Sequence, residues 1–369
     1  MKKTILWVVI VLVVVGVIVL VSNKGQKSSN SNRSVKVGVL VPLSTDFAWW
    51  GEAILDSLKV AQANGYGKEF EFVSQDTKCN TKDAISGTQF LKAQHPDMHL
   101  FIVGCDNDLK AMIPMLDKEK DLAFMVGLSG ASLYEPKFPI INLAYRLEDE
   151  ATAAAKFAAE KLGVKNIGIL VANTEFGGTL DINVSKYFNG VGGKAVSEQI
   201  KYNEPNPETS VLKIIQSKPD AVYIQNDIPA MAAILKRLIQ LDYEGKRIVY
   251  YGGRDQSLID GAGVAAEGVY VPWVISDQTS SVKQKFLETF KQLYNKDPFV
   301  TAYFVYDGLI ILDQADKSCS GDVRCIENYF YNKDGFENTL GKVTYQPDGN
   351  VERSFYFQQV KDGKFVEIK

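Results

Sequence analysis

The sequence predicts an α/β fold of two similar lobes, each a mostly parallel sheet with helices on both faces. From residue 35 onward, short apolar runs alternate with segments of helical periodicity, which is typical of parallel sheets. Most of the runs are continuous and rich in Val and Ile, as expected for strands buried on both faces. The alternation occurs twice, from residue 35 to about 145 and again from Val164, which indicates two lobes.

The individual elements follow from this alternation. Strands are predicted at VKVGVLVPL, FEFVSQD, LFIVGC, LAFMVGL, NIGILVAN, AVYIQND, RIVYYGG and GVYVPWVI. Helices are predicted between them at 52–64, 81–94, 106–118, 148–161, 179–188, 208–216 and 229–240. Two more helical patterns, SSVKQKFLETFKQLYN and TAYFVYDGLIILDQA, precede the closing strands GKVTYQPDGN and SFYFQQVKDGKFVEI. We expect these last elements to return to lobes already built.

The first 34 residues have a different character. Lys2 and Lys3 precede an uninterrupted apolar run over 5–21, long enough to cross a membrane at the short end of the range. Because no good cleavage site follows, the pattern favours an uncleaved signal-anchor over 1–22 rather than a cleaved signal peptide. A polar, Ser- and Asn-rich stretch over 23–34 then reads as a flexible tether. The rest of the chain would lie outside the cytoplasm, with the lysines inside.

The composition excludes some function classes. With 46% hydrophobic residues, 23% charged residues and a net charge of −3, the chain is typical of globular proteins and has no basic surplus for nucleic acid. The histidines are His95 and His99, and Pro96 interrupts any helical pairing of the two as metal ligands. The motifs GxSxG, GxGxxG and GxxxxGK[ST] are absent. We therefore expect neither an enzyme nor a bound metal or cofactor.

The four cysteines, in a chain predicted to be exported, indicate disulfides. Four cysteines allow three pairings, and the sequence alone does not choose among them. Proximity favours Cys319 with Cys325, which leaves Cys79 with Cys105. A metal site is disfavoured because no C-x-x-C pair is present.

Polar and aromatic residues collect where the predicted strands end. These stretches are LSTDFAWWGE, GCDNDLK, GLSGASLYE, ANTEFGGT, QNDIPAM and GGRDQSL. Ligands of open parallel sheets bind beyond the carboxyl ends of the strands, so the stretches predict a small-molecule pocket. Structural alternatives remain: Asp106 and Asp227 are each placed to cap a helix, Ser129 and Ser132 suit turns, and Trp49 or Trp50 suits a cover for the core.

From residue 35 to the C-terminus, the chain resembles the class I periplasmic binding proteins, and most of all the leucine/isoleucine/valine-binding proteins of ABC importers. The resemblance rests on the order and spacing of VGVLVPLS…WWGE, QDTKCNTKDA, IVGCDND, LSGAS, NTEFGG, VAAEGVYV and NTLGKVTYQPDGN. It implies two lobes joined by a three-segment hinge, with ligand trapped between them. The lobes would comprise 35–146 with about 276–339, and 147–275 with about 340–369. The resemblance also implies a Cys79–Cys105 disulfide.

The resemblance places ligand contacts at specific positions. An aromatic residue closes over the ligand at the lip of the first lobe, which here is Trp50, before Gly51. The ligand-binding residues carried over are Trp50, Asp106, Ser129, Ala131, Ser132, Phe176, Asp227, Arg254 and Asp255. Asp106 and Ala131 stand where the family uses Ser and Thr for the ligand carboxylate, and Phe176 replaces a Tyr. Asp227 is the candidate partner of a ligand ammonium. These departures disfavour a plain branched-chain amino acid.

The expected function is therefore that of an extracytoplasmic solute-binding protein. It would capture an amino acid or a related small polar ligand and present it to an ABC permease in the membrane. The alternative is a ligand-binding sensor subunit, which would pass the closure of its lobes to a membrane partner.

Overall fold

The computed structural model describes residues 34–45, 47–128, 138–275, 280–332 and 334–368. In chain order the strands are β1 (Val35–Val41), β2 (Phe70–Asp76), β3 (Leu100–Val103), β4 (Leu122–Met125), β5 (Ile140–Asn142), β6 (Asn166–Ala172), β7 (Lys194–Ile200), β8 (Ala221–Gln225), β9 (Lys246–Val249), β10 (Tyr270–Trp273), β11 (Phe336–Asn338), β12 (Gly341–Tyr345), β13 (Val351–Glu352), β14 (Tyr356–Lys361) and β15 (Lys364–Glu367). The helices are α1 (Ala48–Ala63), α2 (Thr81–Gln94), α3 (Asp106–Met112), α4 (Leu147–Glu160), α5 (Glu175–Gly190), α6 (Glu208–Gln216), α7 (Ile228–Gln240), α8 (Gln256–Ala262), α9 (Ser281–Tyr294), α10 (Val300–Cys319) and α11 (Val323–Phe330).

The first lobe is built on a five-stranded sheet in the order β2-β1-β3-β4-β5. The pairs β1/β3, β3/β4 and β4/β5 are parallel, with Val37 opposite Leu100 and Ala123 opposite Ile140. Every residue of β3 and β4 is buried, which explains why these strands read as continuous apolar runs, and the three-residue β5 is buried as well.

The second lobe is built on a seven-stranded sheet in the order β15-β14-β10-β9-β8-β6-β7. The pairs from β10 through β7 are parallel, whereas β14 and β15 are antiparallel additions at the other edge. The predicted α/β fold with two lobes and mostly parallel sheets is thus confirmed. The expected return of the closing strands is also seen, since Tyr270 of β10 lies opposite Gln359 of β14.

A small antiparallel sheet, β11-β12-β13, lies between these strands in the sequence. Thr339, between β11 and β12, donates its amide N–H to Asp307 Oδ1 of α10 at 2.9 Å. The predicted lobe boundary near residue 339 separates β11 from β12, which pair with each other. A boundary after β13 keeps the small sheet whole.

The sequence missed several short elements. The patterns did not separate β5, β7, α8 or α11 from their neighbours. Strand β7 is an edge strand in which only Ile200 is buried, so it lacks the apolar run of a central strand. The helix predicted over 106–118 ends at Met112, because Pro114 enters a short 3₁₀ turn over Ile113–Met115.

Helix α10 ties the late part of the chain to the first lobe. Most of its 20 residues are buried, as expected for a helix that is apolar all round. It packs against α1, and Ser57 Oγ of α1 donates to the carbonyl oxygen of Ala302 at 2.5 Å. Asn64 Nδ2, just after α1, donates to Tyr306 Oη at 2.9 Å.

Aromatic and guanidinium contacts gather where the chain passes between the sheets. Arg353, after β13, donates to the carbonyl oxygens of Leu143 and Ala144 at 2.6 and 2.7 Å. Its guanidinium lies 5.0 Å from the centre of the Phe304 ring, and the Tyr145 and Phe355 rings meet edge to face at 5.1 Å. The segments at 143–145 and 353–355, where the chain passes between the two sheets, therefore pack against each other.

Two disulfides join Cys79 to Cys105 and Cys319 to Cys325, the pairing that proximity favoured. The described residues contain no helix long and apolar enough to cross a membrane. The predicted signal-anchor over 1–22 and the tether to residue 33 lie outside the described residues.

Candidate functional site

Two adjoining cavities lie between the lobes, where the carboxyl ends of both sheets meet. Their volumes are about 500 and 360 Å³. Both are lined by residues of the first lobe, from the ends of β1, β3 and β4, and of the second lobe, from the ends of β6 and β9. The described lining residues are Phe47, Trp50, Cys79, Gly104, Cys105, Asp106, Asn107, Gly127, Leu128, Leu147, Thr174, Glu175, Phe176, Thr179, Tyr202, Gln225, Tyr250 and Tyr251. We refer to this space as the cleft.

The lip of the first lobe is aromatic. Trp50 lines the cleft, and its indole N–H donates to the carbonyl oxygen of Gly104 at 3.3 Å. Trp49 is 49% exposed and meets Trp50 edge to face at 5.7 Å and Phe299 at 4.9 Å. Trp50 therefore faces the cleft, while Trp49 supports it from outside.

A glycine follows the aromatic residue at both lips for the same steric reason. A Cβ on Gly51 would lie 1.9 Å from the carbonyl oxygen of Pro42, just after β1. A Cβ on Gly177 would lie 2.1 Å from the carbonyl oxygen of Ala172, at the end of β6. Only glycine allows each helix to start this close to its strand. This close approach places Trp50 and Phe176 at the cleft from opposite lobes.

The wall of the second lobe starts from a capped helix. Thr174 caps α5, its hydroxyl oxygen accepting from the amide N–H of Gly177 at 3.1 Å. Phe176 meets Tyr250 edge to face at 5.9 Å, and Tyr250 meets Tyr251 at 5.2 Å. Together these rings form a continuous aromatic wall.

A buried carboxyl group lies behind this wall. Glu150, in the first turn of α4, is fully buried, and its Oε1 accepts from the amide N–H of Tyr251 at 2.8 Å. Its Oε2 has no hydrogen-bond partner among the described residues. Burial raises the pKa of Glu150 to about 8, so the group is mostly protonated at neutral pH.

Acidic groups from the two lobes face one ammonium group. Lys110 Nζ lies 3.0 Å from Glu175 Oε1, across the cleft, and 3.9 Å from Asp106 Oδ2 on its own helix. Burial raises the pKa of Asp106, although Lys110 and the amide N–H of Asn107 oppose that rise. The Asp106 and Glu175 carboxylates thus both lie near the Lys110 ammonium.

Next to Asp106, the Cys79–Cys105 disulfide joins the loops after β2 and β3. Asp108, Cys79 and Cys105 are the one set of possible metal ligands brought together within the described residues, but its two sulfurs are bonded to each other. Asp108 is buried and accepts a hydrogen bond from the Thr77 hydroxyl. Burial raises the pKa of Asp108 to about 7.

The structure brings only some of the predicted site residues together. Trp50, Asp106 and Phe176 line the cleft from both lobes. Asp227 caps α7, accepting from the amide N–H of Ala230 at 3.2 Å. It lies behind the cleft-lining Tyr202, whose pKa is raised by burial and by the charge of Asp227. The capping alternative therefore describes Asp227, and Asp106 is instead the first residue of its helix.

Arg254 and Asp255 have structural contacts away from the described lining. Arg254 Nε donates to Gln358 Oε1 at 2.9 Å, and its guanidinium lies 4.8 Å from the centre of the Trp273 ring. Asp255 caps α8 through the amide N–H of Ser257 at 2.8 Å. We leave both out of the proposed site. Ser129, Ala131 and Ser132 lie outside the described residues.

Several lining residues were not predicted. Glu175 and Tyr250–Tyr251 lie in the quoted strand-end stretches or next to them, so the strand-end rule alone would have found them. Tyr202 follows β7, which the sequence did not mark as a strand. Gln225 is the first residue of the quoted stretch QNDIPAM, and its side chain accepts from the amide N–H of Ala172 at 3.0 Å.

Comparison with known proteins places this architecture among characterised relatives. The family model described as periplasmic binding protein matches residues 34–364. A comparison with the curated proteins gave no match. The fold is similar to that of a leucine binding protein, LivK, from Thermotoga maritima, with a TM-score of 0.79 and 20% identity over 91% of this chain and 98% of that one.

Two further structures with the same fold contain different ligands. One is the branched-chain amino acid transporter substrate binding protein LivJ from Streptococcus pneumoniae in complex with isoleucine, with a TM-score of 0.74 and 17% identity over 91% of this chain and 100% of that one. The other is an ABC transporter solute binding protein from R. palustris in complex with benzoate, with a TM-score of 0.75 and 21% identity over 91% and 95%. The extent of the family match and the two-lobed fold show that the chain belongs to the periplasmic binding proteins, of the class I type.

Proposed function

We propose that the protein is an extracytoplasmic solute-binding protein that captures an amino acid or a related small polar ligand for an ABC importer. The observation that carries the proposal is the cleft, whose cavities of about 500 and 360 Å³ are lined by both lobes. Spaces of this size, with mostly apolar walls and a few polar groups, suit small molecules. Membership of the periplasmic binding protein family supports both the role and the location outside the cytoplasm.

The mechanism follows from the placement of the lining residues. Trp50 and Asp106 belong to the first lobe, and Phe176, Tyr202 and Tyr251 to the second. A ligand that contacts both sets stabilises the state in which the lobes are closed. The hinge would lie where Tyr145, Phe355 and Arg353 pack, and the permease would recognise the closed form.

We further propose that the protein has an ABC permease as its membrane partner and an N-terminal membrane anchor. The apolar run over 5–21 would hold the binding lobes near the permease, and the polar stretch to residue 34 would let them move. The proposal assigns the protein no catalytic role, and the cleft residues bind rather than react.

A thermal-shift screen tests the proposal. The full-length chain, purified under oxidising conditions in mild detergent and dialysed to remove bound ligand, is heated with amino acids, amides, amines and aromatic acids. A ligand at 100 times its Kd stabilises the folded state by about 2.7 kcal/mol. We expect one chemical class to raise the midpoint by a few degrees. A folded, ligand-free sample that responds to none of the classes would contradict the proposal.

A further inference from the structure

The described wall of the cleft is acidic. Among the described lining residues, Asp106 and Glu175 are carboxylates, and none is Lys, Arg or His. A carboxylate ligand would find neutral donors in the described lining, such as Asn107 and Thr179, but no cation, and the Asp106 and Glu175 carboxylates would repel it. The charges that line this part of the cleft favour a ligand of the opposite sign.

The arrangement around Lys110 indicates what these carboxylates bind. Glu175 and Asp106 come from different lobes, and the Lys110 ammonium lies 3.0 and 3.9 Å from their oxygens. Two negative charges therefore share one positive charge at the border of the cleft. Burial disfavours the ionised form of Asp106, so a second positive charge from a ligand would relieve this cost.

The remaining walls also suit a cation. Six aromatic side chains line the described cleft, Phe47, Trp50, Phe176, Tyr202, Tyr250 and Tyr251. Ring faces attract ammonium and guanidinium groups, most strongly where water is excluded. Aromatic faces and carboxylates both attract organic cations, and the described cleft has both.

We infer that the ligand is an organic cation without a carboxylate: a primary amine, a guanidine or a quaternary ammonium on a small apolar body. Its charged group would lie in the cleft against Asp106 and Glu175, beside the Lys110 ammonium, and its apolar body against Trp50, Phe176 and Tyr251. The inference rests on the proposed function, because it names the ligand class of the same cleft. It also gives a role to Asp106 at the position where the family uses a serine.

Matched ligand series separate this inference from the proposed function. Isothermal titration calorimetry on the full-length chain compares leucine with 3-methylbutylamine, which lacks the carboxylate, and with 4-methylpentanoate, which lacks the amine. Phenylalanine, 2-phenylethylamine and 3-phenylpropionate form a second series, with choline and benzoate as further probes. We expect at least one cation to bind about 10-fold or more tightly than its matched amino acid and acid. Tighter binding of an amino acid or an acid would overturn the inference while leaving the proposed function intact, and no binding by any compound would count against both.

Charge-removing variants then locate the cation. Asp106→Asn and Glu175→Gln keep the shape of the side chains and should each weaken binding of the cation about 10-fold. Asp260→Asn removes the same charge from the exposed surface of α8, outside the described lining, and should leave the affinity unchanged. Thermal midpoints of all three variants verify folding. Equal affinities in folded Asp106→Asn and Glu175→Gln variants would overturn the assignment.

Discussion

At the scale of single residues, the adjacent Trp49 and Trp50 have different positions relative to the cleft, which the sequence alone does not show. Trp50 lines the cleft and is held by Gly104, whereas Trp49 points outward and is 49% exposed. We expect Trp50→Ala to weaken ligand binding at least about 10-fold, because a central aromatic contact is lost. Trp49→Ala should change the affinity little. Tryptophan fluorescence titrations of the two variants measure the difference. Equal losses of affinity would show that Trp50 is not the ligand contact at the lip of the first lobe.

Adjacent glycines at the second lip give a matched pair for stability. A Cβ on Gly177 would meet the carbonyl oxygen of Ala172 at 2.1 Å, while one on Gly178 would meet nothing within 4 Å. We expect Gly177→Ala to lower the free energy of unfolding by roughly 1–3 kcal/mol. Gly178→Ala should raise it by about 0.5–1 kcal/mol, because alanine is the better helix residue. Urea unfolding curves of both variants test the pair, and a neutral Gly177→Ala would argue against the close approach.

The buried Glu150 predicts a pH dependence of stability. Its folded pKa of about 8 lies above the ordinary value of 4.5, so the folded state favours the protonated carboxyl group. The stabilisation from the protonated form is complete below about pH 4.5 and is lost as the pH rises toward 8. Glu150→Gln keeps an acceptor for the Tyr251 amide and removes this titration.

The expected result is a difference between two pH profiles. From pH 5 to 8, the variant should gain up to about 4 kcal/mol of unfolding free energy relative to the wild type. The difference profile is needed because Asp108 and Asp307, with pKa values raised by burial to about 7, titrate in both proteins. Parallel profiles for the two proteins would show that Glu150 does not titrate in this range.

At the scale of elements, the two disulfides differ in what they hold. Cys79–Cys105 closes 26 positions and fixes the residue before Asp106, whereas Cys319–Cys325 closes 6 positions after α10. Loop entropy gives about 3.5 kcal/mol for the longer closure and about 2 kcal/mol for the shorter. Replacing both cysteines of a pair with alanine should lower the free energy of unfolding, and the loss should be larger for Cys79–Cys105 than for Cys319–Cys325. Only removal of Cys79–Cys105 should also weaken ligand binding, as measured by calorimetry, and unchanged affinity would separate the disulfide from the site.

The sequence predicted most of the elements and missed several short ones. Helices α2 and α6 were predicted with their observed ends. Asn80 caps α2 through the amide N–H of Asp83, and Pro207 precedes the first residue of α6. The edge strand β7 and the three-residue β5 carry too little apolar pattern to be recognised. Among the site residues, Trp50 and Phe176 were predicted through the family resemblance, which implies an aromatic residue before a glycine at each lip. Glu150 was not, since acids in a first helical turn usually stabilise the helix in water.

At the scale of the whole molecule, an ion pair between the described residues Lys110 and Glu175 connects the lobes across the cleft. Lys110 and Glu175 lie 3.0 Å apart and are partly exposed, so their attraction is modest and screened by salt. We expect Lys110→Met to shift the ligand-free protein toward the open state, at most about 5-fold in population. High salt should also shift the wild type toward the open state, because it screens the pair. The variant, which lacks the pair, should respond less.

Spin labels on the two lobes measure this shift. Labels at Lys118→Cys and Lys186→Cys report the distance between exposed positions of the first and second lobes. The matched control is Lys213→Met, which removes a 3.1 Å pair with Glu198 inside the second lobe. A Lys110→Met distance distribution identical to that of the control would show that the pair does not hold the lobes together.

The connectivity also governs when the protein becomes complete during its synthesis. Helix α10 packs on α1 through a contact between residues 245 positions apart, and β14 joins β10 only near the end of the chain. A ribosome must therefore translate almost the entire message before either lobe has all its parts. Until then the apolar cluster of the second lobe that contains Val360 of β14 is incomplete. A chain whose lobes are still incomplete can pass through a narrow protein-conducting channel before it folds.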